Sequence, residues 1–253
     1  NIDSLALNGS TFDNHFIQNP VCSPSRCTIL TGRYPRNHGT RDNGIPLRDQ
    51  EVCFPEVLRE NGYRTAAIGK MHFTTQFVPK ENEEDDWPED HYGFDVIHTT
   101  CDTKTGEYLT WLKERSQKDY EVVKMQGERK AKEDRASASE KDTSGPPQVY
   151  PSEINPEYHQ SAWIADRTID LIREADPNQP FFALCSFVDP HHPFDPPAPY
   201  STMYDPDKLS LPVRREGELE DKPPHFRRHR EGRGCSNEKY DYRRLSDHEW
   251  SVW

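Results

Sequence analysis

The sequence is short of apolar residues. Hydrophobic side chains make up 32% of its 253 residues, against roughly 45–50% in an ordinary globular chain, so part of it has too little apolar surface to pack. No stretch approaches the roughly 18 consecutive apolar residues of a membrane span, and the opening NIDSLALNGS lacks the basic start and apolar run of a signal peptide. No methionine precedes Asn1, so the site of residence is not legible from the opening. Basic residues are also in deficit. Lys+Arg number 32 against 44 Asp+Glu, a formal charge of -12, which opposes general nucleic-acid binding because that rests on a basic face. The basic residues that do gather, at Arg214 and Arg215 and along Arg227, Arg228, His229 and Arg230, read as solvated surface. Cysteine is scarce too. Cys22, Cys27, Cys53, Cys101, Cys185 and Cys235 are too few for a disulfide scaffold and include no paired CxxC of a zinc site. Asn8-Gly9-Ser10 fits the glycosylation sequon, which has meaning only in a eukaryotic secretory context.

What is present alternates between helical and extended patterns. Ile2, Leu5 and Ala6 with Gly9 behind them suit a helix with a glycine cap. Thr11 to Ile17 alternates as a strand does, and Pro20 to Pro24 reads as a loop leading into a short helix, Ser25 to Leu30, closed by Gly32. That places Cys22 just before a helix N-terminus. Phe54 to Gly62 has proline in its first turn and glycine past its last, and Tyr63 to Ile68 reads as a buried strand. Glu157 to Glu174 sets Trp163, Ile164, Ile169, Leu171 and Ile172 on a broad helical face, and the apolar run Phe181 to Val188 reads as a central strand. The alternation predicts an α/β domain around a largely parallel sheet flanked by helices, with ligands beyond the carboxyl ends of the strands. Lys113 to Pro147 and about Arg214 to Asp247 turn polar and charged and read as surface excursions.

The segment Pro20-Val21-Cys22-Ser23-Pro24-Ser25-Arg26-Cys27 sets a nucleophile-capable side chain at the start of a helix. There backbone N–H groups and the dipole favour anions, and Arg26 follows one turn along. A cysteine in such a place also packs as a small hydrophobe, so the pattern alone leaves both readings open. The longer match decides between them. Cys22-Ser23-Pro24-Ser25-Arg26, then Leu30-Thr31-Gly32-Arg33-Tyr34-Pro35 and Asn37-His38-Gly39, resembles the signature of the type I sulfatases, in the alkaline phosphatase superfamily. The resemblance implies an alkaline-phosphatase-like fold and oxidation of Cys22 to formylglycine by a formylglycine-generating enzyme. The hydrated aldehyde of that group attacks the sulfur of a sulfate ester, with a divalent metal, Ca²⁺ or alternatively Mg²⁺, beside it. It implies that Arg26 holds the formylglycine oxygen and the metal-site charge, as its forked, permanently charged guanidinium can.

Two further blocks carry the same resemblance. Ala66 to His72 ends in Gly69-Lys70-Met71-His72, like the family strand that ends G-K-x-H. On an extended backbone residues i and i+2 point the same way, so Lys70 and His72 are expected to project together. The family assigns the lysine to a sulfate oxygen and the histidine to the formylglycine hydroxyl, whose proton it accepts on elimination. Asp189-Pro190-His191-His192-Pro193 is similar to the family's P-H-x-P turn. There His191 contacts the ester and protonates the leaving oxygen, while His192 falls on the variable position. Asn43 lies where some relatives place an asparagine amide on the substrate, although Asn43-Gly44 is first of all a turn former. His38 is expected to order its loop.

The paired aspartates at the family's opening strand and its later D-H-G or D-N-G turn have no counterpart in the sequence. Ser246-Asp247-His248-Glu249 has Glu where that turn has Gly. The chain therefore reads as part of one sulfatase-type catalytic domain, 1–253, incomplete at both ends, with insertions at about 113–150 and 214–247 and with the metal's other ligands outside it. The expected substrate is a small-molecule or saccharide sulfate ester. Relatives that cleave phosphonate monoesters and phosphodiesters give the enzymatic alternative, and an incomplete or unmodified member acting as a binding module gives the non-enzymatic one. The resemblance points to a periplasmic, secreted or lysosomal setting.

Overall fold

The computed structural model describes residues 2–74, 87–135, 149–231 and 246–252. Along the chain run α1 (Ile2–Asn8), α2 (Cys22–Thr31), α3 (Pro35–His38), α4 (Phe54–Glu60), β1 (Arg64–Gly69), β2 (Val96–Thr99), α5 (Glu107–Arg115), α6 (Gln117–Arg135), α7 (Gln160–Arg173), β3 (Phe181–Ser186), α8 (Pro224–Arg230) and α9 (Asp247–Val252). The chain divides into two compact units, residues 1–100 with 171–186 and residues 101–170 with 187–253. Among the described residues no helix is long and apolar enough to cross a membrane.

The first unit holds a parallel three-stranded sheet of order β2-β1-β3. Ala66 pairs with Val96 on one side of β1 and with Ala183 on the other. β1 is thus the central strand among those described, and it is buried from Thr65 to Gly69. A strand flanked on both edges and covered on both faces must be apolar throughout, which is why Thr65-Ala66-Ala67-Ile68 shows no alternation. β3, read from sequence as central, flanks β1 and is half-buried after an exposed Phe181. It stops at Ser186, with Phe187 exposed. The core of this unit joins Cys27 and Leu30 of α2 to Leu47, Cys53, Ala67, Met71, Phe73, Trp87, Tyr92 and Phe94. Phe73 lies 5.5 Å from Trp87 and 5.9 Å from Tyr92 between ring centroids, within the range of favourable aromatic pairs. The Tyr92 hydroxyl donates to the Leu47 carbonyl at 3.0 Å. Burial pushes the Cys53 thiol up to about 12, which makes it a packing residue rather than a nucleophile.

The second unit packs Tyr108 and Leu112 of α5, Val122 and Val123 of α6, Ile154, and Trp163 and Ile164 of α7. The Tyr108 ring meets Trp163 edge-on at 5.8 Å, and its hydroxyl donates to the Tyr158 carbonyl at 2.8 Å. Of the segment from Lys113, read from sequence as a polar excursion, Lys113 to Arg115 close α5 and Gln117–Arg135 form α6. Its two adjacent valines suffice to dock a helix that is otherwise charged.

Several sequence expectations need correction. Thr11 to Ile17 is no strand; it is irregular and exposed throughout, and no described strand pairs with it. The face of α7 is narrower than its apolar residues suggested, because Ile169 and Ile172 are exposed. Residues 136–148 and 232–245, with Cys235, lie outside the described residues.

Candidate active site

The short helix expected from Ser25 begins three residues earlier. Val21 is its N-cap, extended at φ -87° and ψ 145°, and Cys22 is the first helical residue. Proline is compatible with the first turn because that turn's N–H groups have no intrahelical acceptor, so Pro24 does not delay the start. Gly32 ends α2 in the left-handed region, φ 66°, and its N–H returns to the Thr28 carbonyl at 2.8 Å. Ser23, Cys27 and Leu30 face the core while Cys22 and Arg26 stay half-buried. Since i and i+4 share a helix face, Cys22 and Arg26 lie together on the other side. Cys22 is a thiol in no disulfide.

Asn43 tethers the start of this helix. Its side-chain oxygen accepts from the Ser23 N–H at 3.0 Å, supplying from a distant loop the cap that Val21 cannot. His38 organises the intervening loop as expected. It is fully buried, its Nδ1 accepts from the Thr40 N–H at 3.2 Å, and its Nε2 faces the Thr28 hydroxyl at 3.1 Å. Burial pushes its pKa down, with Glu51 opposing and Arg33 and Arg48 assisting.

Arg26 joins α2 to the sheet. One Nη1 donates to the Lys70 carbonyl at 2.6 Å and to the Ser186 hydroxyl at 2.9 Å, so it bridges the residue following β1 and the last residue of β3. Ser186 is a site contact that the sequence reading missed; only its place as the final residue of a strand pointed to it. Lys70 and His72 are both buried, at 2% and 4% exposure. They are not alternate residues of one strand, however. β1 ends at Gly69, and His72 stands at φ 58°, a left-handed backbone that side-chain-bearing residues adopt only where the surroundings impose it. Cys22, Arg26, Asn43, Lys70 and His72 all belong to the first unit.

His191 and His192 belong to the second. Their rings stack at 4.3 Å, His191 Nδ1 lies 2.7 Å from the His192 carbonyl oxygen, and its Nε2 lies 3.5 Å from an Asp102 carboxylate oxygen. His248 pairs with Asp207 at 2.8 Å, a surface contact. Among the described residues no group of three or more His, Cys, Asp or Glu side chains could hold a metal ion. The described residues therefore do not by themselves make up a metal's ligand set.

A parallel sheet flanked by helices, with the first turns of α2 tied to the carboxyl ends of β1 and β3, makes this an α/β protein, and the solved structures it resembles make that fold alkaline-phosphatase-like. The solved phosphonate monoester hydrolase of Agrobacterium radiobacter has the same fold, with a TM-score of 0.65 at 23% identity over 99% of this chain and 49% of that one. Residues 1–227 match the Sulfatase family model, and the chain belongs to that family. An arylsulfatase of Clostridium perfringens is 27% identical over 84% of this chain and 42% of its own length. An ulvan-active sulfatase of Formosa agariphila is 27% identical over 83% and 34%. The chain thus spans less than half the length of these relatives.

Proposed function

We propose that this chain is the nucleophile-bearing part, 1–253, of a single catalytic domain that hydrolyses small-molecule or saccharide sulfate esters through formylglycine made from Cys22. The observation that carries this reading is the placement of Cys22 as the first residue of α2, half-buried, with Arg26 on the same face and tied to the ends of β1 and β3. Residue 22 suits the modification: its thiol is in no disulfide, and Asn43 caps the helix start beside it. Formylglycine, once formed by its generating enzyme, supplies a hydrated aldehyde with one hydroxyl to attack sulfur and a second to release the bound sulfate.

The remaining roles fall to the chain's own side chains. Arg26 holds negative charge at residue 22, and its fixed charge and fork suit the task. Lys70 binds a sulfate oxygen; a buried ammonium beside an anion is worth far more than an exposed one. His72 accepts a proton at the hydroxyl of residue 22, and His191 gives one to the leaving oxygen. Asn43 orients the helix start and presents its amide to substrate. The family generally uses a divalent metal; Ca²⁺, with Mg²⁺ as alternative, is the ion this reading expects, bound mainly by ligands other than the described residues.

Mass spectrometry of the Cys22 peptide, from protein expressed from its complete gene in a host with the maturation enzyme, tests the reading together with turnover of a sulfate ester and a phosphonate monoester. Formylglycine at 22, preference for the sulfate ester, and a loss of several orders of magnitude in Cys22→Ala are expected. Full activity with an unmodified thiol would refute the mechanism. Preference for the phosphonate would move the chain to that branch, and no turnover by modified protein would favour a binding module.

A further inference from the structure

The turn that carries His191 is fastened at both ends within the second unit. Asp189 at its start accepts from the Ser161 hydroxyl. Asp195 at its end is buried and paired with Lys104. The Tyr150 and Ser152 N–H groups donate to the carbonyls of Phe194 and Pro196, each at 3.1 Å. Lys104 belongs to a short loop after β2, where it is buried and left-handed at φ 56°. Such a backbone costs on the order of 1–3 kcal/mol and persists only where its neighbours impose it; here it delivers the ammonium to Asp195. The same loop carries Asp102.

The two edges of the His191 ring meet different groups. Nδ1 lies 2.7 Å from the His192 carbonyl oxygen, and because a carbonyl only accepts, this bond assigns a proton to Nδ1. The nitrogen that gains and loses a proton is then Nε2, which stands 3.5 Å from Asp102 Oδ2. That separation is longer than a good hydrogen bond. It is short enough for the carboxylate to favour the charged ring. We propose that Asp102 is the positioning residue of His191: the 101–105 loop fixes the ring, and the carboxylate keeps an acidic proton at Nε2 for the leaving oxygen of the ester.

This rests on the reading of His191 as the acid. As the sulfur–oxygen bond breaks, its electron pair goes to the leaving oxygen, which takes the Nε2 proton. The ring is left neutral with its proton on Nδ1 and regains the other from solvent. The remaining groups of the turn are already engaged: His192 by stacking, Asp189 by Ser161 and Asp195 by Lys104.

The test uses enzyme expressed from its complete gene, with Asp102→Asn and Asp102→Glu, assayed across pH on an alkyl and an aryl sulfate while ¹⁵N resonances of the His191 ring are followed. Asp102→Asn should lose about tenfold to a hundredfold in kcat/KM on the alkyl ester and less than about threefold on the aryl ester, whose leaving group needs little protonation. The alkaline limb of the pH profile and the His191 titration should both move to lower pH, and Asp102→Glu should restore them in part. Equal losses on both esters with an unmoved titration would overturn the proposal. If the wild type cleaves neither ester, the functional reading fails, whereas the titration still decides the role of Asp102. If Asp102→Asn does not fold, the wild-type ring decides: a neutral form protonated on Nδ1 is expected, and one protonated on Nε2 would overturn the assignment.

Discussion

Replacing Asn43 with alanine removes the oxygen that accepts from the Ser23 N–H at 3.0 Å. Ser23 is fully buried and Asn43 half-buried, so water reaches the stranded donor only through the space the side chain vacates. The hydrogen bond contributes about 1 kcal/mol net, and stranding a buried donor raises the loss to about 1–3 kcal/mol. The range measured for lost helix caps, about 0.5–2 kcal/mol, overlaps it. A cost near 2 kcal/mol would speed exchange of the α2 amides roughly thirtyfold. Hydrogen exchange is the right assay because it reads this helix rather than both units at once. Asn43→Asp keeps an acceptor oxygen and adds negative charge at the positive end of α2, which returns about 0.3–1 kcal/mol. The aspartate should therefore exchange like the wild type, yet repel an anionic substrate and raise KM. Unchanged α2 exchange in Asn43→Ala would refute the cap. Unchanged KM in Asn43→Asp would remove Asn43 from the substrate site while leaving the cap intact.

Two predictions concern stability. Gly93 stands at φ 83°, and a Cβ there would lie 2.1 Å from the Glu56 backbone nitrogen and 2.3 Å from its Cα. Gly93→Ala must therefore push α4 off its neighbour at a cost of about 3 kcal/mol or more, a fall of about 10 °C in Tm; a melt within a degree or two of wild type would refute it. Burial lowers the folded-state pKa of His38, so below about pH 6.5 the unfolded chain binds a proton that the folded one does not. Stability from this group is complete above that pH and falls as pH drops toward the lowered value. His38→Gln should cost stability at pH 8 and flatten the acid-side loss in urea titrations. An unchanged slope would assign that loss elsewhere, with His159, also lowered by burial, the next group to change.

Local chemistry was legible wherever one residue sufficed to set the backbone. Gly32 closes α2 and Pro55 opens α4 as their conformational limits require, and the apolar run in β1 announced a covered strand. What depended on distant partners was not legible. Thr11 to Ile17 alternates like a strand, but alternation cannot supply a neighbour to pair with. The valines of α6 find an apolar partner surface only once the second unit is folded. At the site, the motifs named Cys22, Arg26, Lys70 and His72, but nothing local says that Arg26 reaches Ser186, 160 residues away. Nor could the spacing of Lys70 and His72 reveal that the chain leaves the strand at Gly69 and turns left-handed at His72. The role of Asn43 as a cap was hidden for the same reason, since its partner lies 20 residues back in another element.

The grip of Arg26 on residue 70 runs through the backbone carbonyl, an atom that every amino acid supplies. Side-chain identity at 70 is thereby uncoupled from the anchoring of α2. Under the role proposed for Lys70, a lineage could exchange the lysine for another group, and so retune which tetrahedral anion is preferred, while the helix bearing residue 22 kept its footing. In a family whose fold is shared by sulfate and phosphonate ester hydrolases, such a division of labour within one residue lets specificity drift without dismantling the scaffold.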